Sequence, residues 1–230
     1  MTNSEVCPTR SPETGSARRT VAMSAGLLAA FAGLEHGIGE LTSGDVASDS
    51  LVIESWPHVA AFDVLSGEPA MTLIPDLRVA GAVTVLVSLV LGWWALRNRG
   101  ARRDGQWLLG ISAALLLVGG GFGPPLVGVV VAVGLIVRAD PSAGTPGTVR
   151  TGLARWWPLF LMLSVTAYLA LFPGVVLLSW VGVDALWATV VLPIIAFGAL
   201  VLSLVAASAN DRLAADGRAA GDQGLPHRLD

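Results

Sequence analysis

Long apolar runs separated by short polar stretches organise this chain. Hydrophobic segments fall at 20–41, 77–97, 107–122, 124–138, 156–180 and 185–208, and only the connection 42–76 is long. Runs of this kind match the roughly 20 residues that a helix needs to cross bilayer hydrocarbon. The pattern predicts an all-α fold, a polytopic transmembrane helical bundle of six hydrophobic segments. Polar residues 1–19 and 209–230 read as disordered cytoplasmic tails around a transmembrane domain at 20–208, with 42–76 as its external loop.

The third and fourth segments pose a problem of length. Residues 107–137 carry no charge and are interrupted by Gly119-Gly120-Gly121-Phe122-Gly123-Pro124-Pro125. Arms of about 15 residues reach roughly 22 Å, short of a hydrocarbon core of roughly 30 Å. The break predicts a hairpin, made either of short spans in a thinned bilayer or of a re-entrant loop. Its backbone N–H and C=O groups find no partners in lipid, so the turn must meet water, protein or a ligand.

Arginine placement arbitrates the topology. If 107–138 goes in and returns, every arginine but Arg78 faces one side; a single crossing moves Arg138, Arg150 and Arg155 to the other side and weakens the asymmetry that fixes orientation. The even topology places both termini in the cytoplasm, as a multi-pass protein of the plasma (inner) membrane. Trp93, Trp94, Trp107, Trp156 and Trp157 then mark cytoplasmic ends of spans, and Trp180 and Trp187 external ends. Acidic residues from Glu40 to Asp76 crowd the external connection. Within it, Pro57 and Gly67 bracket a short helix with Val59, Phe62 and Leu65 on one face, lying along the membrane surface.

Composition supports a lipid solvent. A mean hydropathy of +0.68 with 13% charged residues leaves too little polar surface for a soluble globule of this size. All 14 basic residues are arginine, which with abundant Ala, Gly and Val fits a GC-rich bacterial genome. The single Cys7 excludes an intrachain disulfide and cysteine-based clusters. Arg18-Arg19 before an apolar run, with Ala30-Phe31-Ala32 beyond, imitates a cleavable twin-arginine leader; apolar residues continue past that point, which favours an uncleaved first span.

Small residues recur along the first span at Ala22, Gly26, Ala30, Gly33 and Gly37, and along the second at Gly81, Thr84, Ser88 and Gly92. These stripes predict a close helix pair, and such glycine-rich faces also suit another membrane protein as partner. Pro173-Gly174 and Pro193 predict kinks in the last two spans. The basic loop Arg97–Arg103 suits anionic headgroups, with topogenesis sufficient to explain it. No nucleotide loop, Ser-His-Asp set or nucleic-acid signature is present, and no inverted pair of broken helices announces a transporter.

Two stretches carry candidate chemistry. In the first span Glu35, His36 and Glu40 are ionisable groups that are costly in lipid unless paired or hydrated, and His36 and Glu40 share a helical face. They suit a proton or cation site, with a hydrogen-bonded packing pair as the bland reading. Gly121, Gly123 and Pro124 of the break are the second candidate, since unwound backbone at membrane depth commonly lines a cavity. If the connection folds down, His36, Glu40, Glu54 and His58 offer a divalent metal set, or two haem-ligating histidines. No cofactor is fixed by these residues.

The leading expectation is a non-enzymatic membrane protein, a small transporter-like carrier or accessory subunit with a polar cavity on the external side. The alternatives are a metal- or haem-dependent membrane-embedded enzyme and a structural helix-packing partner of a membrane complex.

Overall fold

The computed structural model describes residues 16–43, 50–57, 59–137, 148–181 and 187–223. Eight helices are described: α1 (Ala17–Thr42), α2 (Leu77–Arg97), α3 (Arg102–Val118), α4 (Gly123–Ile136), α5 (Thr148–Ala154), α6 (Trp157–Leu169), α7 (Val175–Trp180) and α8 (Ala188–Gln223). Three helical stretches, Ala17–Thr42, Leu77–Arg97 and Ala188–Ala220, are long and apolar enough to cross a membrane. Large apolar side chains stand outward on α2 (Leu86, Leu89, Trp93), α6 (Leu159, Met162) and α8 (Val190, Ile194). Such surface is costly in water and costless in lipid, so the chain reads as a membrane protein.

The least apolar of the three long helices is the most buried. α1 packs against α2, α4, α6 and α8, and its small residues Ala22, Ala25, Ala29 and Ala30 are buried in the core. Lipid rewards an apolar exterior, so the helix that carries glycines and ionisable groups goes to the middle. The predicted pairing of the first two spans is found. A Cβ on Gly37 would lie 2.9 Å from the Gly81 carbonyl oxygen, and one on Gly81 would lie 2.7 Å from that of Gly37.

Charge and capping hold one end of the bundle. Asp211 of α8 accepts from the Ala17 amide (2.7 Å), the Arg18 amide (3.2 Å) and the Ser16 hydroxyl (2.5 Å), satisfying the first N–H groups of α1. The Arg18 guanidinium donates to Gly134 O at 2.6 Å, at the last turn of α4, and Arg19 donates to Asn98 O at 3.0 Å, just after α2. Asp211→Ala is expected to cost about 1–2 kcal/mol. A lower melting temperature by tryptophan fluorescence checks this, with the exposed Asp216→Ala unchanged.

Three features differ from the expectation. α8 stays helical to Gln223 where 209–230 reads as unstructured, because Asp211 anchors that extension to α1. The all-α reading misses two short antiparallel strands, β1 (Val52–Glu54) and β2 (Pro69–Met71), in the connection between α1 and α2. The short helix there is a 3-10 segment at Ala60–Leu65, and Val59 stands just before it. The tail 1–15 lies outside the described residues.

α6 and α7 are joined through a π turn at Ala170–Gly174. Pro173 has no amide hydrogen to give, and the Val175 amide bonds Ala170 O, five residues back. Pro193 sits inside α8, which is helical on both sides. Ser164 donates to Ala196 O (2.8 Å) and Ser203 to Trp157 O (3.1 Å), tying α6 to α8.

Candidate functional site

The polar site forms at the end of the bundle opposite Arg18 and Arg19. α1 supplies Glu35, His36 and Glu40, and the connection between α1 and α2 closes over them. Ser55 and Trp56 follow β1, and their amides bond Glu68 O (3.2 Å) and Gly67 O (3.0 Å). Three successive residues, Ser66, Gly67 and Glu68, have left-handed backbone at φ 53°, 67° and 54°. Two of them are not glycine, at a cost of about 1–2 kcal/mol each. The reward is position: this turn drives the Glu68 side chain inward until 3% of the residue is exposed.

Glu35, His36 and Glu68 converge, with one ligand atom from each within 4.8 Å of the others. His36 Nε2 is 3.7 Å from Glu68 Oε2, and its Nδ1 is 2.9 Å from Ser55 Oγ. The Ser55 contact fixes the imidazole and points Nε2 at Glu68. The Trp56 indole N–H donates to Glu35 Oε1, which orients that carboxyl, and Trp56 itself stacks on Phe62 at 4.9 Å between ring centroids. No N–H or hydroxyl donates to either oxygen of Glu68 or to Glu35 Oε2, and the two carboxyls face each other closely enough to share a hydrogen bond. Burial first, and then the facing Glu35 carboxyl, push the Glu68 carboxyl up to about 10.

The glycine break closes the site from the other side. A Cβ on Gly121 would fall on the His36 imidazole, and one on Gly119 on the Glu40 carboxyl; both glycines have positive φ, at 69° and 119°. Three carbonyls freed where α3 ends are taken by protein. Leu115 O accepts from the Gly120 amide at 2.9 Å, Leu117 O from the Leu73 amide at 2.9 Å and Val118 O from the Thr84 hydroxyl at 2.8 Å. The demand for shielded backbone is thus met within the chain, by α1, α2 and the connection.

A cavity of about 180 Å³ adjoins the cluster, lined by His36, Glu68, Phe122, Gly123, Tyr168 and Leu171. His36, the break and the connection therefore belong to one site, as do Gly121 and Gly123. Pro124 is buried in the first turn of α4, where its missing N–H costs nothing. Glu40 is fully buried beside Thr84 and Ser55, packed on Gly119 and outside the three-residue group.

Of the metal set expected from His36, Glu40, Glu54 and His58, His36 and Glu40 are buried at this end of α1. Glu54 is exposed on β1, and His58 lies outside the described residues, as does any haem pairing that needs it. The acidic side chain of the connection that meets His36 is Glu68. Sequence reasoning had no handle on Glu68 among the many acidic residues of the connection, because its inward course depends on a left-handed turn at Ser66–Glu68. Comparison with protein-family models, with curated proteins and with solved structures finds no match for this chain.

Proposed function

We propose that this chain is a multi-pass plasma-membrane protein of six hydrophobic segments with both termini cytoplasmic. In this reading it is non-enzymatic, a small transporter-like carrier or accessory subunit, and its buried polar cluster binds a cation. The observation that carries the reading is the convergence of Glu35, His36 and Glu68 under the Gly119–Gly123 break, beside a cavity. Ionisable groups are kept inside a membrane bundle at a cost, and ion pathways and binding sites are where that cost is met.

The hairpin supports the six-segment arrangement. α3 and α4 pack on each other as helices of about 26 and 21 Å, each shorter than the roughly 30 Å of hydrocarbon. With the arginines of α1 and of the α2–α3 loop at one end and the acidic connection at the other, arginine asymmetry favours the latter outside. A metal-dependent membrane enzyme is the second reading, favoured by the cavity against which His36, Glu68 and Tyr168 stand. The structural-partner reading is less supported, since the glycine faces of α1 and α2 are spent on each other.

Cation and proton flux into proteoliposomes tests the proposal. Wild-type protein is expected to conduct or exchange a cation, and Glu35→Gln, His36→Ala and Glu68→Gln are expected to reduce that flux. Equal flux from wild type, the three variants and empty liposomes would remove the reading.

A further inference from the structure

We propose that Glu35, His36 and Glu68 bind one divalent transition-metal ion, of the zinc, manganese or ferrous type, with the adjoining cavity left for water or a small exogenous ligand. This inference rests on the cation-site reading above and names the class of ion.

Four observations carry it. The three side chains bring ligand atoms within 4.8 Å of one another, a spacing that a small rotation of each closes around a single ion. Glu68 is buried to 3% exposure and aimed into the group, and no N–H or hydroxyl donates to either of its oxygens or to Glu35 Oε2. Supporting contacts of the kind that orient metal ligands are already in place: Ser55 on His36 Nδ1, and the Trp56 indole on Glu35 Oε1. Gly121 lies directly against the His36 ring, where any side chain would fall on Nε2.

Charge and softness select the ion. Metal binding displaces the carboxyl proton, and the two carboxylates then carry two negative charges that a divalent ion cancels, whereas a monovalent ion leaves one uncompensated. An imidazole among the ligands disfavours magnesium and calcium, which prefer all-oxygen sets. Three protein ligands leave coordination positions open, and two of them, His36 and Glu68, line the cavity of about 180 Å³.

Full-length protein, stripped with chelator and held in mild detergent, is titrated with Co²⁺, Zn²⁺ and Mn²⁺ by absorption spectroscopy and calorimetry. One ion per chain is expected, with cobalt d–d bands of a nitrogen–oxygen site. His36→Gln and Glu68→Gln should abolish binding. Ser55→Ala should weaken it by roughly 10–100-fold, as loss of a supporting residue does. Exposed Glu54→Gln should bind as wild type. Folding of each variant is read independently from gel-filtration profile and tryptophan emission, and Ser55→Ala keeps the test alive if a ligand variant fails to fold. Wild type that binds none of the three ions, or a folded Glu68→Gln that binds as tightly as wild type, overturns the inference. If wild type binds no divalent ion yet moves protons or monovalent cations in the flux assay, the metal inference falls and the broader cation reading stands. Silence in both assays removes both.

Discussion

Gly121→Ala will destabilise the protein by about 2–5 kcal/mol, the sum of an L-residue forced to positive φ and a core overpacked onto His36. Gly121 stands at φ 69°, and its added methyl would occupy the space of the His36 imidazole. The measurement is the unfolding midpoint on titration of folded protein with a denaturing detergent. Gly110→Ala is the control, since nothing lies within 4 Å of a Cβ there and its effect should be neutral or slightly stabilising. His36→Ala placed in the Gly121→Ala background should restore the steric part of the loss and leave the backbone part. That non-additivity marks direct contact between the break and α1. Equal stability of Gly121→Ala and wild type would mean that the break does not seat on His36.

Gly81→Leu is expected to cost about 3 kcal/mol or more, because the groups it would displace are backbone. At this crossing each glycine faces its partner's carbonyl oxygen, and a Cβ on Gly81 would also lie 2.8 Å from the Leu41 amide nitrogen. A flexible side chain could swing aside, but two helix backbones separate only by pulling α1 from α2 along its length. Gly198→Leu on α8 has open space around it and should leave stability unchanged, which separates the crossing from a general intolerance of larger residues. The same detergent titration reads both. If Gly81→Leu were as stable as Gly198→Leu, the α1–α2 pairing described above would be wrong.

The two predictions bear on one arrangement. α1 is central because its small residues permit close approach, and the same close approach brings its ionisable groups under the glycine break. Loosening the Gly37–Gly81 crossing should therefore also loosen the polar site, since Gly81 packs against Glu40 and Glu40 in turn against Gly119. The left-handed turn at Ser66–Glu68 fits this view, since backbone strain of this kind persists only where surrounding contacts over-determine it.

What the sequence by itself determined is what periodicity, caps and solvent chemistry determine locally. The apolar runs placed the long helices, and the small-residue stripes matched α1 to α2, because close helix packing in lipid needs small residues in register on both partners. The seven-residue break was legible as a turn, and its unsatisfied backbone as a demand for partners. His36 stood out because an imidazole in an apolar span is conspicuous. Only the tertiary structure decided which groups meet. Glu68 enters the site through three successive positive φ angles, and nothing in residues 66–68 but one glycine signals such a turn. Glu54, equally acidic and closer to the expected helical spacing, faces outward because β1 pairs with β2 and alternation places it on the exposed face. The helical extension to Gln223 likewise depends on Asp211 meeting the start of α1, a contact across nearly the whole chain. Local sequence sets each element's solvent preference, whereas convergence of side chains from distant segments is fixed by how the elements pack.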